Sequence, residues 1–428
     1  MNKYDVVIVG GGTAGVSCAW NAGKLGLKTL IIEQNSFLGG SITSSLVIPA
    51  MKTSDNAINT DFYNEFYKKL EQMNGAITYS DNNKGWFNPE LTKIALDILM
   101  QEANVEVLFE TTIKNIEHNE QQKYLIYTDS IDTNNNLELE VRLLPPIETI
   151  FLVDSTGDGK ICEKLNAKFL ENSENNFQPK SLRFIMSGIN TEKFSNWLLE
   201  FDTNLGVTSS CVVNGNTYLS TAYTWDSSTE WALKPLFKQA VEDKVITEED
   251  SNYFQLFSVA GTADSIAFNA PRLLNKEASR SKLYQEGRMS IYRLANFCKK
   301  YLPGFEKAHI SSIADSLGVR SSNRVRGKYV YTYEDLISGK KFSTPVLISN
   351  YPIDIHSDKK DCSTLQKIDI EYQLPIESLI VDGFENLFVI GRCISADFKA
   401  QGALRIIPSC FSMGEGLAKH ISKTKTRC

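Results

Sequence analysis

"YDVVIVGGGTAGVSCAW" (Tyr4–Trp20) is the stretch on which the architecture turns. An apolar run over residues 4–9 ends in three consecutive glycines, the pattern of a strand covered on both faces. Residues 13–25 then carry Ala14, Cys18 and Ala22 at i, i+4 and i+8, a narrow face that lets a helix lie close on a sheet. Gly26 stops that helix, and "KTLIIE" (28–33) is the next strand. Strand, helix and strand in this order make a βαβ unit and predict a parallel sheet.

Between the first strand and the helix, Gly10, Gly12 and Gly15 fall in the spacing G-x-G-x-x-G. The first glycine permits the tight turn, the second lets a pyrophosphate approach the backbone, and the third lets helix and strand pack closely. Thr13 and Ala14 open the helix, where free N–H groups and the helix dipole favour phosphate. Glu33 ends the second strand, followed by Gln34, and a carboxylate there can accept from both ribose hydroxyls while repelling a 2′-phosphate. Glycine turns also arise without ligands. With strand, helix and acid all in place, the pattern reads as dinucleotide binding.

Outward from this unit, "NPELTKIALDILMQEA" (88–103) is an amphipathic helix with Pro89 in its first turn, and "VEVLFET" (105–111) is a strand. From Ile113 to Leu144, polar turns separate short alternating runs, which predicts an antiparallel meander. "TIFLVDSTGDG" (149–159) is another buried strand ending in a glycine turn. Residues 166–370 differ, with helices expected at 229–243 and 276–301 and an alternating strand at "TYLSTAYTW" (217–225). "NLFVIG" (386–391) then returns to the first sheet. The expected division is a dinucleotide-binding domain over residues 1–165, an inserted α+β substrate domain over 166–370, and completion of the first domain by 371–428.

The 428 residues, 42% hydrophobic and 22% charged, suit a globular protein with a sizeable core. A net charge of −6 argues against nucleic acid as a partner. The basic "KHISKTKTRC" at residues 419–428 reads as a solvated tail. No apolar run reaches the ~18 residues of a membrane span, and a first strand starting at Tyr4 leaves no room for a secretory leader. The eight cysteines are scattered, without a C-x-x-C pair or a ligand cluster, so no metal site is expected and the thiols fit a reducing cytoplasm.

"SFLGGSITSS" (36–45), "DSTGDG" (154–159), "SLRFIMSGI" (181–189), "FNAPRLL" (268–274), "GVRSSNRVRGKYVYTYEDL" (318–336), "YPIDIH" (351–356) and "ENLFVIGRCISADFKAQGALRIIPSC" (385–410) occur in the order of a known pattern. Nearly the whole chain thereby resembles the FAD-dependent oxidoreductases of the glutathione-reductase superfamily that carry a single Rossmann domain. The resemblance implies FAD as cofactor. Gly40 and Ser41 would lie along its pyrophosphate and ribityl chain, and Ile113, Thr156 and Gly157 would join the cofactor contacts. In related flavoproteins the glycine matching Gly391 precedes an aspartate that binds ribityl hydroxyls, and Arg392 is expected to take over that role here. Leu404, Arg405 and Ile406 lead into a helix near Pro408 whose N-terminus would face the flavin ring. Arg405 either adds to that field or pairs with an acid.

No cysteine pair follows the first βαβ unit and no second G-x-G-x-x-G occurs, so neither disulfide reduction nor a separate NAD(P)H domain is expected. NAD(P)H, if it is the donor, would enter the substrate cleft or act through a partner protein. Substrate candidates are Arg272, Arg320, Arg324, Arg326 and His356: the arginines as clamps for carboxylate or phosphate, or as interdomain ion pairs, and His356 as an acid–base or a structural group. Members of the family carry a histidine where this chain has Phe398. Cys393 reads as a small buried residue beside the ring or, with Cys410 as resolving partner, as a reactive thiol. The expected activity is hydride transfer between flavin N5 and a small polar, anionic organic molecule. The rivals are an oxidase or monooxygenase, and a binding module in which FAD is structural.

Overall fold

The computed structural model describes residues 2–78, 84–133, 139–172, 178–204, 207–213, 215–221, 231–275, 277–356 and 364–426. The chain opens with β1 (Asn2–Val9), α1 (Thr13–Lys24) and β2 (Thr29–Ile32). β1 pairs in parallel with β2, Val6 opposite Thr29 and Val9 opposite Ile32. Val6 and Ile8 enter one hydrophobic cluster, while Val7 and Val9 enter another on the opposite side of the sheet. That two-sided burial is why the run of β1 is apolar throughout.

The next elements are α2 (Asp61–Gln72), α3 (Pro89–Glu102), β3 (Glu106–Leu108), β4 (Thr111–His118), β5 (Tyr124–Thr133), β6 (Leu139–Leu143) and β7 (Ile147–Asp154). Asn88 caps α3 by accepting from the N–H groups of Glu90 and Leu91. The strand expected over 105–111 is two strands, because Glu110 at φ 48° turns the chain between β3 and β4. The sheet runs β3-β2-β1-β7-β5-β4, with β6 on β5. β7 changes neighbour along its length. Ile147–Thr149 pair antiparallel with β5, whereas Leu152–Asp154 pair in parallel with β8 (Leu387–Val389), which arrives from far along the chain.

A second, antiparallel sheet of six strands takes the order Thr208–Val213, Asn216–Thr221, Leu256–Ser258, Ile266–Phe268, Phe184–Ser187 and His309–Ile313. Phe184 and Phe268 stack at 4.6 Å across neighbouring strands. The long helix α4 (Arg280–Tyr301) begins at Ser279, which caps the Lys282 N–H. The strand expected at 217–225 is described only to Thr221, and its remainder lies outside the described residues, as does the start of the helix expected at 229–243, which runs Lys234–Glu242. The architecture is α/β: a Rossmann-like sheet with an antiparallel meander, plus a further α+β portion.

After β8 come α5 (Phe398–Leu404) and α6 (Ile407–Lys425). The solvated tail expected from residue 419 onward is instead the end of α6. Ile421 is fully buried, Lys419 bonds Glu415, and Lys425 pairs with Asp5 at the start of β1. The lysines sit on the exposed side of an amphipathic helix, which composition alone presents as a charged tail. α6 crosses α1 closely. The Ser17 hydroxyl donates to Phe411 O at 2.7 Å, and a Cβ on Gly414 would lie 2.3 Å from Ala14 O.

Candidate active site

The glycine turn sits at the carboxyl end of β1, where open α/β sheets bind ligands. A Cβ on Gly15 would lie 2.2 Å from Gly10 O, so this glycine is required by helix–strand packing. Gly12 is different. Its φ of −72° suits any residue, and a Cβ there would meet nothing nearer than Ser155 O at 3.9 Å. Protein packing therefore does not demand a glycine at this position. The side chain it lacks would project into the cradle over the α1 N-terminus, which no side chain caps. Gly39 and Gly40 close the far wall through a bridge to Gly12. The Thr13 hydroxyl reaches Gly39 O at 3.4 Å, and Ser41 is exposed beside it. Glu33 is buried, accepting from Gly11 N at 2.7 Å and from the backbone and side-chain nitrogens of Asn35, both at 2.8 Å. The Gln34 backbone also bonds this carboxylate, so most of its roughly four acceptor positions are taken within the protein and the expected acceptance from both ribose hydroxyls at once is not met. These residues fit the adenosine and phosphates of a dinucleotide. Gln34 is exposed, and Ile113 is half-buried on β4.

The C-terminal turn meets this cradle. Gly391, at φ 85°, donates its N–H to Met413 Sδ, and a Cβ built on it would face Ala14 at 3.6 Å. The opposite ends of the chain thus close on one site. Asp154, fully buried at the end of β7, organises the adjoining turn: one oxygen accepts from Thr156 N and Oγ1, the other from Ile161 N and Cys162 N. Sequence reasoning missed Asp154 although it begins the quoted "DSTGDG". Thr156, expected to touch cofactor, spends its hydroxyl inside this turn.

Arg392 corrects an expectation. Its Nε donates to Gly157 O and Ser322 Oγ, its Nη1 to Val319 O, and its Nη2 to Asp158 at 2.6 Å. A guanidinium beside an acidic turn and exposed carbonyls is drawn to them, so it pins the turn rather than reaching for ribityl hydroxyls.

Beyond the cradle lies a nest of arginines, Arg183 and Arg320 buried, Arg272 and Arg405 half-buried. Arg183 precedes a strand of the second sheet and donates to Leu46 O at 3.2 Å, in the segment that follows Gly40 and Ser41. Arg320 donates to Pro179 O at 2.8 Å. Arg405, between Leu404 of α5 and Ile406, the N-cap of α6, reaches Asp354 O at 2.8 Å and its carboxylate at 3.3 Å, so the pairing with an acid is the alternative observed. Arg272 lies 4.1 Å over the Tyr253 ring and donates to His356 Nδ1 at 2.8 Å.

Because arginine only donates, Nδ1 of His356 must accept. The imidazole proton is therefore on Nε2, 3.2 Å from Asp354 Oδ1. Burial, then the nearby Arg320 charge, depress His356 to about 3, so the ring is neutral. Asp354 is held below the usual carboxylate range by His356, Arg405 and Arg320, against its burial. The acid–base expectation for His356 fails on this geometry: both ring nitrogens are engaged, and the residue positions Arg272. Burial pushes Arg183 down to about 10 and Arg320 to about 9, the other arginines adding to the shift at Arg320.

Arg324 is not in the nest. It donates to Ala396 O, Glu171 O and Asn172 Oδ1, carbonyls that draw it to another face, and Arg326 is exposed. Phe398 begins α5. Cys393 lies in the smaller core beneath the sheet while Cys410 lies in the larger one, so they cannot act as a resolving pair. Burial raises both thiols, Cys410 to about 12. Sequence reasoning missed Arg183, Tyr253 and Asp354, although "SLRFIMSGI" and "YPIDIH" contain two of them. Among the described residues, no helix is long and apolar enough to cross a membrane.

The model of the family described as FAD dependent oxidoreductase matches residues 5–423. A curated ferredoxin–NADP reductase of Mycoplasmoides gallisepticum is 28% identical over 138 residues, 30% of this chain and 37% of that protein. The match thus spans little more than a third of that relative's length. Among solved structures, a geranylgeranyl bacteriochlorophyll reductase-like protein from Thermoplasma acidophilum has a TM-score of 0.49 at 13% identity, covering 100% of this chain and 80% of the other. A glycine oxidase from Geobacillus kaustophilus has a TM-score of 0.48 at 10% identity, covering 99% and 95%.

Proposed function

The chain belongs to the FAD-dependent oxidoreductases, enzymes that use FAD, and from that premise we propose that it transfers a hydride between flavin N5 and a small anionic organic substrate. Bound FAD supplies the redox centre. Gly10, Gly12, Gly15 and Glu33 hold the adenosine and phosphates, Gly40 and Ser41 follow the ribityl chain, and Gly391 and the α6 N-terminus border the ring. The chain sits in the glutathione-reductase superfamily, with residues 166–370 as the substrate portion inserted into a cofactor portion formed by 1–165 and 371–428.

One observation carries the reading: Arg183 and Arg320 are buried, with Arg405 half-buried beside them, where the segment after Ser41 meets the α5–α6 junction. Guanidiniums hold a carboxylate or phosphate by paired, oriented hydrogen bonds, and they do so most strongly where water is excluded. The Asp354–His356–Arg272 chain fixes one wall. The test is anaerobic. Enzyme with reduced flavin is mixed with unsaturated carboxylates and with their uncharged amides. Reoxidation by the acids and not by the amides is expected; equal rates defeat the reading, and rapid peroxide formation in air with no response to any acid assigns an oxidase instead.

A further inference from the structure

We propose that the arginine nest takes a small organic dianion, a compound carrying two carboxylates or a phosphate monoester, rather than a singly charged acid. This rests on the reading of the nest as the substrate end of the flavin site. Three guanidiniums, those of Arg183, Arg320 and Arg405, face a single carboxylate: among the described residues the ion pairs that reach them end on Asp354. His356 is neutral and, with Arg272, already hydrogen-bonded. Three cations against one anion, with the Arg272 guanidinium beside them as a fourth cation, leave an excess of at least two positive charges among the described residues, where Arg183 and Arg320 are buried and Arg405 and Asp354 half-buried. Buried charge persists only where it is balanced, and among the described residues no carboxylate other than Asp354 pairs with Arg183, Arg320 or Arg405, so a ligand bringing two negative charges suits the site better than one bringing a single charge. A monoanion balances at most half of the excess.

The unfilled hydrogen bonds point the same way. Nε of Arg183, Nε of Arg405 and Nε2 of Gln178 are buried without partners. The Gln178 amide cannot be turned to relieve this, because its Oε1 already accepts from His356 N at 3.1 Å and Arg405 at 3.4 Å. These three groups are donors, so what they lack is acceptor oxygens, whereas Asn269 Oδ1 behind Tyr253 is a buried acceptor without a partner. FAD's own phosphates do not serve here, since their cradle is at Gly12 and Gly40. Tyr253 brings a ring and a hydroxyl that accepts from Asn269, closing the nest with neutral groups.

The experiment uses the FAD-loaded enzyme near neutral pH, titrated separately with succinate, butyrate and inorganic phosphate. Heat and flavin absorbance are recorded together. Succinate or phosphate is expected to bind about 10-fold or more tightly than butyrate, and whichever of the two binds better assigns dicarboxylate or phosphate ester. Arg320→Met should erase the preference with FAD content unchanged. Arg183→Gln is the second variant, because Arg320 also anchors Pro179. Asp354→Asn, which removes an internal anion, should widen the gap, a response that loss of structure alone does not give. Equal affinity for succinate and butyrate, with flavin absorbance responding to both, overturns the dianion and leaves the anionic-substrate reading standing. Tight succinate binding with no flavin response keeps the dianion site but separates it from the flavin. No binding of any anion overturns both.

Discussion

At the scale of single residues, His356 shows how burial and neighbours convert a titratable ring into a fixed connector. Its folded pKa of about 3 lies below the ordinary 6.5. The unfolded chain therefore binds the extra proton first as pH falls. The stability contributed by keeping the ring neutral is complete above about pH 6.5 and is lost progressively down to about 3. Between pH 7 and pH 5 this amounts to roughly 2 kcal/mol. His356→Gln, which can accept and donate at similar positions without titrating, should flatten the fall in Tm between those values. A wild-type-like slope in that variant would show that other groups set the acid sensitivity. Gly12→Ala makes the complementary prediction for the cradle. The added methyl meets no protein atom within 3.4 Å, so Tm of the FAD-free protein should change by less than about 1 kcal/mol equivalent. FAD affinity should fall at least about 10-fold, read by flavin fluorescence, because the methyl occupies the approach to the helix N-terminus. Single residues were unevenly legible in the sequence. Glycine roles follow from spacing, but an arginine's partner does not: Arg320 and Arg272 joined the nest while Arg324 and Arg392 went to carbonyls and Asp158.

At the scale of elements, the contact that decides the site is the crossing of α1 and α6. Small residues on both helices bring the backbones together, and Trp20, Phe62, Phe66 and Phe411 fill the flank with ring separations of 5.0–6.2 Å. Gly414→Val would press a branched side chain into Ala14 O and the Cys18 N–H. About 1–3 kcal/mol of destabilisation is expected, with weaker FAD retention because Ala14 and Gly391 are pushed apart. Unchanged thermal unfolding and full flavin content would mean that the helices part without consequence. The first βαβ unit was readable because local signals alone specify it: apolar run, three glycines, small-residue helix, second strand. The last turns of α6 were not, since their lysines carry the same composition in a tail as on the outer side of a helix. What distinguishes the two is Ile421 meeting a core that the local sequence does not describe.

At the scale of the molecule, long-range pairing was the least legible feature. The sequence predicts that "NLFVIG" rejoins the first sheet, but no local pattern tells β7 to divide itself between the meander and β8. Non-local pairings of this kind form late, because the loop-closure cost precedes the gain. Termination of the chain after Glu385 should therefore leave a product that cannot keep FAD through gel filtration, although it contains every fingerprint glycine. A yellow truncated product would show that the N-terminal portion closes its site unaided. Because β8 and α6 follow every fingerprint glycine along the chain, they emerge from the ribosome after them, and cofactor loading during synthesis has a fixed order. The nascent protein carries a half-made berth until β8 and α6 have been released, and flavin supply limits maturation only from that point.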